Sequence, residues 1–196
     1  IETDGRTVFT SDEAINLEWL PRWIAIVGSG YIGLEFADVY TALGCEVTMI
    51  EALDRVMPTF DPDIAKIAGR HLIDGRDIDA RSGVLASKVT PGCPVRIDLA
   101  DFNSRELVET LEVDAVLVAT GRVPNTASLG LETVGVAMGP RGEVIVDETS
   151  RSSVDSIYAV GDVTDRVNLT PVAIAEGHAF ADSLYGGRPR TVSHAN

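Results

Sequence analysis

A chain of 196 residues can bury one sizeable α/β core, or one such domain and part of a second. Apolar residues make up 45% of it and charged residues 23%, a balance that excludes a largely disordered polymer. Acidic side chains outnumber basic ones by 30 to 16 for a net charge of −14, which argues against a nucleic-acid backbone or an anionic membrane as partner.

No apolar run approaches the ~20 residues that a membrane span needs, and the opening IETDGRTVF lacks the basic and apolar regions of a signal segment. The expected compartment is therefore intracellular, either cytoplasm or the stroma or matrix of an organelle. Cys45 and Cys93 match neither a zinc spacing nor a C-x-x-C pair, and they read as core or turn residues. His71, His178 and His194 are equally scattered, so no metal site is expected.

In chain order, Thr10-Ser11-Asp12-Glu13 forms a capping-box pattern that predicts a short helix through Ala14, Ile15 and Leu17, ended by Pro21. Trp23 to Val27 is a continuous apolar run, as in a fully buried parallel strand, and it stops at Gly28. Ile32, Leu34, Phe36, Ala37, Val39, Tyr40 and Leu43 then recur at helical spacing up to Gly44, a suitable C′ glycine. Glu46 to Glu51 is the next strand. Strand, helix and strand without a hairpin turn predict a parallel crossover.

Asp61-Pro62 opens a second helix, with Asp61 as cap, expected to run through Leu72 and to stop near Gly75. Three β-like runs follow at Gly83 to Val89, Pro94 to Leu99 and Leu107 to Leu111, and they read as an antiparallel meander. Val113 to Ala119 is another nearly uninterrupted apolar strand, which belongs in the parallel sheet. Past Pro124 the texture becomes rich in Gly and Pro, with short strands expected at Val144 to Asp147 and Ile157 to Val160. A final helix then starts near Pro171. That shift sets a domain boundary near residue 124.

The strongest chemical signal is Gly28-Ser29-Gly30-Tyr31-Ile32-Gly33, which lies where a buried strand turns into a helix. Gly28 permits the tight turn, Gly30 lets the backbone approach a pyrophosphate, and Gly33 lets helix and strand pack closely. The helix N-terminus offers unpaired N–H groups and partial positive charge to phosphates. A plain strand-to-helix turn would show the same glycines. The further pointer is Glu51 at the end of the next strand, where an acidic side chain accepts hydrogen bonds from the adenosine ribose. Taken alone, Glu51 is equally well a solvated strand-end carboxylate. Its charge would oppose the 2′-phosphate of NADP, and the nearest following cation is Arg55, so the expected cofactor is NAD(H).

Three ordered motifs carry a family resemblance: Gly28 to Glu35, Ala119-Thr120-Gly121-Arg122-Val123-Pro124-Asn125, and Tyr158-Ala159-Val160-Gly161-Asp162-Val163. Together they resemble the flavoprotein disulfide reductases, which include dihydrolipoamide dehydrogenase and glutathione reductase, over essentially the whole chain. Up to about residue 120 the sequence is most similar to the cyanobacterial and plastid dihydrolipoamide dehydrogenases, through Gly44 to Leu53 and Phe60-Asp61-Pro62. From about Val123 it resembles glutathione reductase instead, through Gly161 to Ile174. The chain thus reads as a mosaic, whether natural, divergent or engineered.

The resemblance implies an α/β fold: a Rossmann-like parallel sheet with helices and an antiparallel β-meander, followed by a partial FAD-domain segment. It assigns residues 1–124 to an NAD(H)-binding domain and 125–196 to the C-terminal segment of an FAD-binding domain. Gly28, Ser29, Gly30, Tyr31, Ile32, Gly33, Glu51, Ala119, Thr120, Gly121 and Arg122 would contact NAD. Gly161, Asp162, Leu169, Thr170 and Pro171 would contact FAD, with Asp162 on the ribityl chain and the final helix aimed at the flavin. Tyr31 resembles the aromatic lid over the flavin, and Glu35 the residue that pairs with a lysine outside this chain.

A second FAD-type glycine turn, a C-x-x-x-x-C redox pair and a terminal His/Glu base pair do not occur in the sequence. The chain is thus expected to be a central stretch of a longer enzyme that passes hydride between NADH and flavin, not reducing disulfides alone. Its expected partners are the nucleotide, the remainder of the flavoenzyme and a second copy in a homodimer. The competing reading is a stand-alone or engineered NAD-binding module without catalysis.

Overall fold

The computed structural model describes residues 1–195, which fall into two compact units. The first is Ile1–Gly121 and the second begins at Arg122, just before the compositional shift near residue 124.

Unit 1 runs β1 (Val8–Phe9), α1 (Ser11–Ala14), β2 (Trp23–Val27), α2 (Tyr31–Ala42), β3 (Glu46–Glu51), α3 (Pro62–Ala68), β4 (Asp79–Ser82), β5 (Val84–Thr90), β6 (Val95–Asp101), β7 (Leu107–Val113) and β8 (Ala115–Val118). Five strands pair in parallel in the order β1-β8-β2-β3-β4, and β5-β6-β7 form the antiparallel meander.

Strand alternation sorts the apolar residues of the parallel sheet into two cores. Ile24 and Ile26 of β2, Met49 of β3 and Leu117 of β8 face α2, where they meet Leu34, Ala37 and Tyr40. Ala25, Val27, Ile50 and Val116 face the meander and pack on Val95, Ile97, Leu99, Leu111 and Val113. The sheet is therefore covered on both sides, which is why β2 and β8 read as unbroken apolar runs. Within that interior Trp23 Nε1 donates to Thr48 Oγ1 at 3.0 Å.

The capping box forms as read, with Glu13 accepting from the Thr10 N–H and hydroxyl, although α1 spans only four residues. Two strands escaped the sequence reading. β1 has only two residues, too few for a period. β4 reads Asp-Ala-Arg-Ser, an edge strand with no apolar alternation, and its Arg81 is bridged by Asp79 and by Glu109 of β7. Charge on an exposed edge discourages pairing with a second chain.

The helix after Asp61 is not one regular α-helix to Gly75. Asp61 caps it through Oδ1, but the α geometry ends at Ala68, continues as a wide π turn over Gly69–Ile73, and closes as a 3₁₀ turn at Asp74–Arg76. Two glycines, Gly69 and Gly75, weaken the α ladder there. The wider turn carries the adjacent Leu72 and Ile73 onto the same core.

In unit 2 the expected strands at 144–147 and 157–160 do not form, and only isolated bridges join Met138 to Val144 and Arg151 to Tyr158. Ile145 N–H to the Ala137 carbonyl and Ala159 N–H to the Ser150 carbonyl flank these bridges, but the pairing does not extend into a ladder. Val144 N–H goes to the Val163 carbonyl, and Ile157 N–H closes a tight turn on Val154. A 3₁₀ turn at Gly161–Thr164 leads to α4 (Thr170–Leu184), the regular helix expected from Pro171. No helix among the described residues is long and apolar enough to cross a membrane.

Candidate functional site

Strand register sets the site. Val27 pairs with Ile50 and with Val118, so β2, β3 and β8 end level and deliver Gly28, Glu51 and Ala119-Thr120 to the same C-terminal edge of the sheet. Gly28 N–H donates to the Ile50 carbonyl at 2.9 Å and Ala119 N–H to the Val27 carbonyl at 2.8 Å, carrying the strand pairing into the turn.

Each motif glycine has a distinct reason. Gly28 sits at φ +106°, where L side chains are strained, and a Cβ on it would run into the Ala119 carbonyl. A Cβ on Gly33 would overlap the Gly28 carbonyl oxygen, so this glycine lets α2 sit against the turn. At Gly30 a Cβ would meet nothing within 4 Å, so no packing within the fold demands glycine there. The room above Gly30 is what a ligand approaching the backbone would use.

Gly30 is also the N-cap of α2, and it supplies no side-chain cap; no acidic residue lies in the first turn. The partial positive charge of the helix N-terminus is thus not offset by an acidic side chain of its own first turn. Beside it, Val27, Gly28, Ile50, Glu51, Ala52 and Thr120 line a cavity of about 250 Å³.

Glu51 is not the solvated carboxylate its strand-end position allowed. It is 9% exposed, Oε2 accepts from Ser29 N–H at 3.1 Å and Ser29 Oγ at 2.6 Å, and Oε1 accepts from Leu53 N–H at 2.9 Å. Ser29, expected to face a nucleotide, is instead fully buried, with both of its donors spent on Glu51. Arg55 is tied through Nη2 to the Pro58 and Phe60 carbonyls, at 3.0 and 3.2 Å. The nearest cation after Glu51 is thereby committed to its own loop.

Tyr31 and Glu35 lie one turn apart on α2, Tyr31 half-buried and Glu35 exposed, and Ile32 is half-buried between them. Gly121 ends unit 1, whereas Arg122 falls in unit 2 with its Nε 3.8 Å from Asp162 Oδ2. The structure therefore groups Arg122 with the 161–162 segment.

In unit 2, Gly161 takes φ +72° and donates its N–H to Glu176 Oε2 at 2.6 Å. Glu176, on α4, is 2% exposed, and its Oε1 also meets Arg166 Nη2 at 2.9 Å and His194 Nε2 at 2.6 Å. A buried carboxylate is tolerated because it is paired and fully hydrogen-bonded. It pins the Gly161-Asp162 turn to the helix and leaves the Asp162 side chain exposed. Leu169 is the N-cap of α4, with no side-chain cap, and Thr170 and Pro171 make its first turn, so a second uncapped helix start is present. The sequence reading missed Glu176, because a carboxylate inside an apolar helix face is visible only once its partners are placed.

The dihydrolipoyl dehydrogenase of Synechocystis is 56% identical over 95% of this chain and 40% of its own length. The chloroplastic dihydrolipoyl dehydrogenase 2 of Arabidopsis thaliana is 52% identical over 99% of this chain and 35% of its own. A glutathione reductase of Burkholderia cepacia is 41% identical over 96% and 41%. Both kinds of relative thus align across nearly the whole chain. Among solved structures, the HOCl-induced flavoprotein disulfide reductase RclA of Escherichia coli superposes with a TM-score of 0.83 at 32% identity, over 97% of this chain and 42% of that one. The chain spans 35–42% of the length of these relatives. The model of the pyridine nucleotide-disulphide oxidoreductases matches residues 2–177, and the chain belongs to that family.

Proposed function

We propose that unit 1 binds NAD(H) at the C-terminal edge of its parallel sheet, within an FAD-dependent oxidoreductase in which hydride passes between nicotinamide and flavin. One observation carries this reading: the uncapped start of α2 over an open Gly30, with Glu51 held in the wall of the adjoining cavity. Gly28, Gly30 and the first turn of α2 (Tyr31, Ile32, Gly33) would receive the pyrophosphate. Glu51 would accept from the adenosine ribose hydroxyls, and Ala119, Thr120 and Gly121 would border the nucleotide from β8. A carboxylate at that position, with Arg55 engaged elsewhere, favours NAD(H) over NADP(H).

Unit 2 fits the flavin side of the same reading. Gly161 and the exposed Asp162 would meet FAD, and the uncapped α4 start at Leu169, Thr170 and Pro171 offers a positive dipole end, which stabilises negative charge on a reduced flavin. With no C-x-x-x-x-C pair in its 196 residues, the chain alone would not reduce disulfides.

Titrating NADH into the purified chain, followed by nucleotide fluorescence, should saturate; a flat titration on folded protein removes the proposal. The absorption spectrum separates the enzyme reading from that of a binding module: bound flavin supports the first, and NADH binding without flavin the second.

A further inference from the structure

Between Gly28 and Gly30 the turn carries one side chain, and it points inward. Every polar group of Ser29 is occupied: its N–H and hydroxyl reach Glu51 Oε2 at 3.1 and 2.6 Å, and its carbonyl accepts from Met57 N–H at 3.0 Å. Glu51 is held from the other side by Leu53 N–H on Oε1 at 2.9 Å. The carboxylate is therefore gripped by two segments, the turn after β2 and the chain leaving β3, yet it still lines the cavity beside Gly28 and Thr120. A carboxylate has roughly four acceptor positions, so these three donors leave capacity for a further hydroxyl.

We propose that Ser29 is a positioning and specificity residue: its hydroxyl fixes the Glu51 carboxylate before a nucleotide arrives. The carboxylate is then presented to the adenosine ribose already ordered, and it cannot swing aside for a 2′-phosphate. This rests on the NAD(H) reading above. Nothing else in the turn needs a hydroxyl at position 29, since the turn geometry comes from Gly28 and the helix contact from Gly33. Ordering one long side chain on binding lowers affinity by a factor of about 2 to 12, which is the benefit the Ser29 hydroxyl confers.

The test is a thermodynamic cycle on the full chain, in which NADH and NADPH are titrated into the parent, Ser29→Ala, Glu51→Ala and the double variant. Ser29→Ala should weaken NADH binding about 2- to 12-fold where Glu51 is present and leave it unchanged where Glu51 is absent, and it should narrow the preference for NADH over NADPH. Without nucleotide, amide hydrogen exchange at Leu53 should quicken in Ser29→Ala, reporting the freed carboxylate directly. Ser29→Gly gives the same comparison if alanine disturbs the buried turn. An unchanged NADH affinity in Ser29→Ala, or an equal loss in both Glu51 backgrounds, overturns the role of Ser29 while the nucleotide reading stands. A parent that binds neither nucleotide overturns both.

Discussion

Gly33, on the first turn of α2, backs onto Gly28 so closely that a Cβ on Gly33 would run into the Gly28 carbonyl oxygen. Gly30, between them, faces open space. The two glycines should therefore fail differently. Gly33→Ala is expected to cost about 1–3 kcal/mol of stability by overpacking. Gly30→Ala should stay within about 1 kcal/mol of the parent yet lose about tenfold or more in NADH affinity, because the new methyl occupies the space above the turn. Urea unfolding and NADH titration of both variants check this. Equal stability losses would mean that Gly30 is a packing residue after all.

Glu51 should carry much of the binding free energy. A hydrogen bond to a charged group contributes about 1.5–3 kcal/mol, so Glu51→Ala should weaken NADH binding roughly 10- to 150-fold. NADPH affinity should not fall with it. Titration of the variant with both nucleotides measures this, and parent-like NADH affinity would take Glu51 out of the site.

Asp4 gives unit 1 a pH dependence. Burial raises the pKa of its carboxyl, but the Thr7 hydroxyl and the N–H groups of Val8, Arg6 and Thr7 outweigh that and hold it well below the usual carboxylate range. A depressed folded-state pKa stabilises above the unfolded value and is lost as pH falls through the folded one. The stability gap between parent and Asp4→Ala should thus be constant near neutrality and close as pH drops below about 4. Urea unfolding over that range measures it, and a gap that persists in acid would show that the turn before β1 does not depend on the charge.

The two cysteines should differ in reactivity. Burial pushes the Cys45 thiol pKa up and hides it in the core under α2, whereas Cys93 is exposed ahead of β6. Since the thiolate is the nucleophile, iodoacetamide should label one thiol per chain in the native protein and two in denaturant. Peptide mass mapping should assign the first label to Cys93; native labelling of Cys45 would indicate a looser core than the fold implies.

What could be read in the sequence follows from how each part is stabilised. The elements β2, α2, β3 and β8 were legible because sheet faces covered on both sides demand long apolar runs and a helix stripe, although Val113, read as the start of β8, ends β7 of the meander instead. The polar β4 and the two-residue β1 are held by pairing with β3 and β8, which no local pattern reveals. Segments 144–147 and 157–160 carry strand-like composition, but their pairing stops at single bridges, Met138 with Val144 and Arg151 with Tyr158, so propensity misled. Glu51 was legible from its spacing to Gly33. Its bond to Ser29 was not, because it joins residues on different strand ends that only the sheet register brings together.

The most direct test is calorimetric titration of the folded parent chain with NADH and NADPH side by side. Saturable heat is expected with NADH, and at least about tenfold weaker binding with NADPH. No heat with either nucleotide, or equal affinity for the two, would contradict the NAD(H) reading.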